Sequence, residues 1–132
     1  MPWWPLRKKV FGPRIQRGRR AEALARALLQ ARGYVIEDAN VRFPVGEIDL
    51  VAREGSTLAF VEVRSTSSQQ WGGPLASITD RKRQRLLKAA AWYLRYVRRP
   101  PGAVRFDVVA IEWRPAGAPA VELIRGAFTA DR

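Results

Sequence analysis

The chain has 132 residues with no cysteine and no histidine, and 24 Lys and Arg against 12 Asp and Glu give it a formal net charge of +12 at pH 7. The missing side chains exclude disulfides, zinc sites built on thiolates, cysteine nucleophiles and Ser-His-Asp catalysis. Any metal must therefore be held by oxygen ligands, which favours Mg²⁺ or Mn²⁺. The excess of positive charge indicates a polyanionic partner, first of all nucleic acid.

Neither a membrane span nor a secretory leader is expected. No apolar run approaches the ~20 residues that a membrane helix needs, and the basic N-terminus lacks the apolar core of a signal peptide. We therefore expect a cytoplasmic protein with no membrane partner. Residues 1–17 are basic, rich in proline and aperiodic, which predicts a flexible N-terminal arm ahead of a single domain over residues 18–132.

The elements predicted in chain order are α, β, β, β, α, β, β, which makes an α/β protein. A first helix is predicted from Gly18 to Arg32, because apolar residues recur there at helical spacing and Gly33 follows. The next three strands comprise one around residues 34–43, with a kink at Asp38-Ala39-Asn40, and a hairpin over residues 46–65. A second helix is predicted from Thr79, as N-cap, to about Val97. Strands over residues 104–112 and 121–124 follow.

The hairpin carries charged residues in strands that are otherwise apolar. If it turns on a two-residue type II′ loop at Gly55-Ser56, facing residues have numbers that add to 111. Asp49 then lies opposite Glu62 and Glu47 opposite Arg64, and all four side chains share one face. Two facing carboxylates repel each other, and a bound divalent cation would offset that repulsion.

The other face of the hairpin is predicted to be apolar and to face the core; it carries Ile48, Leu50, Val61 and Val63. The charged face is also expected to end in an apolar stretch, formed by Val51, Leu58 and Phe60. A second interpretation is that the charged face is simply exposed to solvent, with Glu47 and Arg64 as a surface ion pair. Both interpretations stay open on the hairpin alone.

Three residues outside the hairpin are further candidates for the same site. Glu22, one residue off the apolar stripe of the first helix, could join the acidic group or form an exposed i,i+4 pair with Arg26. Lys82 could reach a phosphate at the start of its helix, where the dipole favours anions, or could simply be solvated. Trp71, in a polar and glycine-rich loop, could stack on a base or anchor the loop.

Together these residues resemble the YraN-like family of small bacterial proteins. The resemblance spans Gly18 to Ala110 and rests on the segments GEIDL (46–50), FVEVR (60–64) and RFDVV (105–109), with Glu22 and Lys82 at matching places. That family is itself similar to Holliday junction resolvases and to the wider PD-(D/E)xK nuclease superfamily.

The resemblance implies a restriction-endonuclease-like fold, in which a mixed sheet is flanked by helices, and a DNA endonuclease that depends on Mg²⁺ or Mn²⁺. It implies that Asp49 and Glu62 are metal ligands and that Glu22 completes the metal site. Arg64 stands where the superfamily has a catalytic Lys; it would stabilise charge at the phosphate, but it is a poor base. Glu47 matches a recurrent family position without a defined role.

The expected partner is DNA rather than RNA, with branched DNA of recombination or repair as the implied substrate. Similar resolvases cut two strands as dimers, so the resemblance also implies a homodimer. The expected nucleic-acid contacts are Arg64, Lys82, Arg81, Arg83 and Arg85. Two alternatives are a protein of the same fold that binds DNA or RNA without cutting it, and a protein-interaction module that uses Trp71, Trp92 and Trp113.

Overall fold

The computed structural model describes residues 6–7, 12–67 and 78–129. Its elements are β1 (Leu6–Arg7), α1 (Gly12–Ala31), β2 (Val35–Phe43), β3 (Gly46–Glu54), β4 (Thr57–Ser67), α2 (Asp80–Tyr96), β5 (Ala103–Trp113) and β6 (Ala120–Phe128). The strands form one sheet in the order β1-β2-β3-β4-β5-β6, in which β4 and β5 run parallel and the other neighbours run antiparallel. The predicted α/β class, mixed sheet and order of elements from α1 onward are confirmed.

The N-terminal segment contributes more regular structure than its composition predicts. Helix α1 begins at Gly12 rather than at Gly18, and Leu6–Arg7 form a short strand beside residues 41–42 of β2. The added helical turns contain Arg and Gln, which are good helix formers even where no apolar periodicity marks them. Periodicity therefore located the buried part of α1, and not its start.

The two helices lie on opposite faces of the sheet and build a core on each. Helix α1 covers a core made mainly of Ala25, Leu29, Leu50, Val61, Val109 and Ile111. Helix α2 covers the other face, with a core made mainly of Leu86, Ala90, Ile48, Val51, Leu58 and Phe60. Both faces of the central strands are therefore buried by helices, and any charged site must lie where this cover ends.

The β3–β4 hairpin has the predicted turn and register close to its loop. Facing pairs run from Leu50 with Val61 to Glu54 with Thr57, each adding to 111. Gly55 takes a φ of +60° at the first loop position, as a type II′ turn requires. Val51, Leu58 and Phe60 lie together on the face covered by α2, as expected.

In both β2 and β3, the apolar side chains change from the α1 side to the α2 side of the sheet at one level. Ala39 faces Leu50 on the α1 side, whereas two residues along Val41 faces Ile48 on the α2 side. Between them Asn40 has a φ of +53°, a left-handed conformation that Asn tolerates better than most residues. The expectation that Ile48 shares a face with Leu50 was therefore wrong, because strict alternation fails across this level.

A buried polar network ties β5 and β6 to Tyr34, which lies between α1 and β2. The Asp107 carboxylate, fully buried, accepts hydrogen bonds from the Tyr34 hydroxyl at 2.9 Å, from Arg105 at 2.8 and 2.9 Å and from the backbone N–H of Gly126 at 2.9 Å. Arg105 also donates to Glu54 at 3.0 Å, at the end of β3. Burial, followed by the hydrogen bond to Asp107, raises the pKa of Tyr34 to about 12.

We expect Tyr34→Phe to lower the free energy of unfolding at pH 8 by about 1–3 kcal/mol, because it removes a donor from a buried carboxylate. Tyr34 has a folded-state pKa above its unfolded value, so its contribution is complete below pH ~10 and is lost as pH rises through about 12. Urea titrations of both proteins between pH 8 and pH 12 should therefore show the difference shrinking at the alkaline end. A difference that stays constant to pH 12 would contradict this account.

Candidate functional site

Strands β3 and β4 stop pairing immediately beyond Leu50 and Val61, and the site lies where they diverge. Towards its N-terminus β3 continues to pair with β2, through Ile48 with Val41. Strand β4 instead continues beside β5 as far as Ser67. The Asp49 side chain turns into the gap, where its Oδ2 accepts a hydrogen bond from the backbone N–H of Val63 at 2.9 Å. A carboxylate thus replaces a strand-to-strand bond at the point of divergence.

A pocket of about 420 Å³ opens beside this divergence, against the start of α2. Its lining residues are Glu47, Glu62, Thr79, Arg81, Lys82 and Arg85. Thr79 caps the helix as predicted, and its side chain accepts from the backbone N–H of Lys82 at 3.2 Å. The pocket therefore combines two acidic residues from the sheet, three basic residues from one helical turn and a positively polarised helix end.

The charged residues of the hairpin lie close to oppositely charged groups. Arg64 lies 3.6 Å from Glu62 on its own strand, and Glu47 lies 3.8 Å from Arg42 on β2. The paired register of β3 and β4 ends at Leu50 with Val61, before the level at which Glu47 was expected opposite Arg64. Both Glu62 and Arg64 keep part of their side chains accessible, at 17% and 23%.

Glu22 lies near the same level of the sheet but is engaged elsewhere. One carboxylate oxygen accepts from Asn40 Nδ2 at 2.6 Å and the other from Arg26 Nε at 3.0 Å. The Glu22–Arg26 pair considered from sequence is thus present. Through Asn40, Glu22 also holds the residue at which β2 reverses its faces, so it supports the geometry of the divergence.

The remaining candidates lie apart from the pocket. Arg83 forms an ion pair with Asp80 and lines a separate depression with Gly126 and Phe128, on the other flank of α2. Trp71 lies outside the described residues. Trp92 packs on Phe43 with ring centroids 5.5 Å apart, which fits a packing role.

Trp113, the last aromatic candidate, lies at the end of β5. The Arg20 guanidinium sits 4.9 Å from the centre of its ring, so a cation from α1 covers it. Neither Trp92 nor Trp113 therefore presents a bare aromatic face of the kind that a protein-interaction surface would use.

Among the described residues, no three Asp or Glu side chains are grouped so that they could hold a metal ion together. The arrangement suits a smaller donor set, since Mg²⁺ is commonly bound by one or two carboxylates, with water and substrate phosphate completing the shell. Of the two predicted metal ligands, Glu62 lines the pocket, whereas Asp49 lies outside its lining and accepts from the Val63 N–H. Their oxygens are the hard ligands that Mg²⁺ and Mn²⁺ prefer.

Sequence reasoning missed two residues on which this geometry depends. Asn40 was seen as part of a kink, but its left-handed conformation and its bond to Glu22 were not predicted. Gly46 enters the sequence analysis only as the start of the hairpin, yet a Cβ placed there would overlap the main-chain carbonyl of Arg85. Asn within a strand pattern, and Gly at its start, are the signals that could have indicated these roles.

The fold and site define a small α/β protein with an acidic and basic pocket where two central strands diverge. The chain belongs to the uncharacterised protein family UPF0102, the YraN family, whose model matches residues 21–111. It is 43% identical to a UPF0102 protein of Desulfosudis oleivorans over 92% of this chain and 97% of the relative. It is 47% identical to one of Moorella thermoacetica over 87% of this chain and 97% of the relative. The resemblance seen in the sequence is thereby confirmed.

Within the described part of the chain, neither helix has the length and apolar character needed to cross a membrane.

Replacing Gly46 by Ala should lower the free energy of unfolding by about 1–3 kcal/mol, because a methyl group cannot fit between β3 and the backbone of Arg85. Gly18→Ala is a matched control, since that position lies in α1 with open space around it and should gain up to about 1 kcal/mol. Urea unfolding followed by circular dichroism measures both. Equal effects of the two substitutions would contradict the close approach of β3 and α2.

Proposed function

We propose that the protein is a metal-dependent endonuclease that hydrolyses phosphodiester bonds of DNA. The observation that carries the proposal is the end of β3–β4 pairing after Leu50 with Val61. There Asp49 accepts from the Val63 N–H, and Glu62 lines a pocket with the basic start of α2. Paired carboxylates in a protein of formal charge +12 would only weaken phosphate binding unless a cation bridged them to the substrate. The family's similarity to resolvases and PD-(D/E)xK nucleases supports the same activity by analogy.

Asp49 and Glu62 would hold the divalent cation, Mg²⁺ or Mn²⁺. A cation bound there would supply a more acidic water and polarise the scissile phosphate. The Val63 N–H fixes one oxygen of Asp49, so this carboxylate is oriented before any ligand arrives. Glu22 would act indirectly, by accepting a hydrogen bond from Asn40 and so holding the backbone of β2 beside Asp49.

The basic residues of the proposed site have separate tasks. Arg64, beside Glu62 and always protonated, would contact the scissile phosphate and stabilise the negative charge that grows in the transition state. Lys82, Arg81 and Arg85 line the pocket from α2 and would hold neighbouring phosphates. A cellular DNA substrate would place the protein in the cytoplasm, and a homodimer would supply one site for each of two strands.

Substituting Asp49 should abolish cleavage without abolishing folding. We expect Asp49→Asn, which can still accept from Val63 N–H, and Asp49→Ala to reduce metal-dependent cleavage at least about 100-fold. The assay uses linear, flapped and four-way-junction DNA with Mg²⁺, Mn²⁺ or EDTA. Glu122→Ala, an exposed carboxylate on β6, is the matched control and should cleave as the wild type does. Cleavage that survives both Asp49 substitutions would overturn the assignment.

A second candidate function is binding of DNA or RNA without cleavage, as an accessory protein. It is favoured by Arg64 at the position of the usual catalytic Lys, since Arg cannot act as a base. The 3.6 Å contact between Arg64 and Glu62 also neutralises one of the two proposed metal ligands. This candidate predicts the same salt-dependent binding but no cleavage with any metal.

Arg64→Lys separates the two candidates. If the native Arg in place of the usual Lys limits hydrolysis, the Lys variant should cleave about 10-fold or more faster than the wild type. Its pH optimum should also be higher, because the amine must lose its proton to act as a base. Rates measured with Mn²⁺ between pH 6 and pH 10 report this. No cleavage by either protein, with binding retained, would favour the accessory function.

A further inference from the structure

Helix α2 carries a row of cations that leads away from the pocket. Residues spaced as i, i+4, i+7, i+11 and i+14 lie on one side of a helix, and in α2 these positions are Arg81, Arg85, Lys88, Trp92 and Arg95. The four cations are exposed, and Trp92 is half-buried. We call this row the α2 stripe. The stripe begins at the pocket that contains Glu62 and, at 1.5 Å per residue, is about 21 Å long.

The cations of the α2 stripe are not neutralised within the described part of the molecule. None of Arg81, Arg85, Lys88 and Arg95 takes part in an ion pair there. On the opposite flank of the same helix, by contrast, Arg83 is paired with Asp80. The positive charge of α2 is therefore concentrated on one side, and like charges at i,i+4 cost stability unless an anion lies over them.

Trp92 contributes to the shape of the stripe, but its ring is not available for stacking on a base. Its ring packs on Phe43 of β2, and the Arg95 guanidinium lies 5.7 Å from the ring centre. The ring thus holds Arg95 in line with the other cations while being covered itself. Proteins that bind single strands depend on exposed aromatic rings for stacking, so a straight row of cations suits the regular backbone of a duplex better.

We propose that the α2 stripe binds the sugar-phosphate backbone of a DNA duplex that extends from the pocket, over about six phosphates of one strand at 3.4 Å per nucleotide. The proposal rests on the proposed nuclease function and specifies its substrate as DNA with a duplex arm beside the cleavage point. Lys88 and Arg95, which do not line the pocket, are binding residues that take no part in the hydrolysis itself. They add affinity that is independent of sequence and sensitive to salt.

The test measures binding to a duplex of about 20 base pairs in EDTA, by fluorescence anisotropy from about 50 to 300 mM KCl. We expect Lys88→Gln with Arg95→Gln to reduce the slope of log K against log salt by about 2 and the affinity at low salt by about 10- to 100-fold. The matched control is Arg19→Gln with Arg32→Gln. It removes the same charge from exposed positions in α1 and just after it, on the other face of the sheet, and should leave the slope within about 0.5 of the wild type.

The outcomes distinguish failure of the duplex-binding proposal from failure of the nuclease proposal. If the wild type binds the duplex and both double variants keep its slope, or lose it equally, the stripe is overturned while the nuclease proposal stands. A loss confined to a single strand of the same sequence would also overturn the duplex assignment. If the wild type shows no salt-dependent binding to any DNA, both proposals fail together. Unfolding midpoints of the variants check that Lys88 and Arg95 act through binding rather than folding.

Discussion

The exchange of faces at Asn40 and Asp49 is the constraint on which the rest of the site depends. A sheet covered by a helix on each face has no place in its central strands for carboxylates that lack buried partners, as long as the strands alternate regularly. The left-handed Asn40, held by Glu22, and the bond from Val63 N–H to Asp49 end that regularity at one level. β3 and β4 can then separate, and their charged residues reach a gap instead of a core.

Helix α2 also approaches the sheet closely at this end, and Gly46 is the reason. Without a side chain, Gly46 allows the backbone of Arg85 to lie against the first residue of β3. That contact brings the first turn of α2, with Thr79 and Lys82, over the gap. The pocket thus depends on the change of faces in β2, on Gly46 and on the Thr79 cap of α2. None of these features contributes an ionised side chain. The acidic and basic residues depend on these neutral features for their placement.

Sequence patterns predicted the elements and the hairpin well and the local departures poorly. Apolar periodicity located both helices and every long strand, and the two-residue turn at Gly55 gave the correct register as far as Leu50 with Val61. Beyond that pair the prediction failed, because period-2 reasoning cannot foresee a reversal that Asn40 creates and Glu22 stabilises from another element. The network around Asp107 was missed for a similar reason, since its partners come from distant parts of the chain.

The Asp107–Arg105 pair and the Glu62–Arg64 pair lie on opposite faces of the sheet. The first is suited to stabilising the fold, and the second to binding a ligand. Asp107 is fully buried and receives two bonds from Arg105 within 2.9 Å, and this pairing raises the pKa of the guanidinium. Such a saturated group has no capacity left for a substrate. Glu62 and Arg64 meet at 3.6 Å, remain partly accessible and line or adjoin a pocket. Because both side chains are partly accessible, a cation could reach Glu62 and a phosphate could reach Arg64, as the proposed function requires.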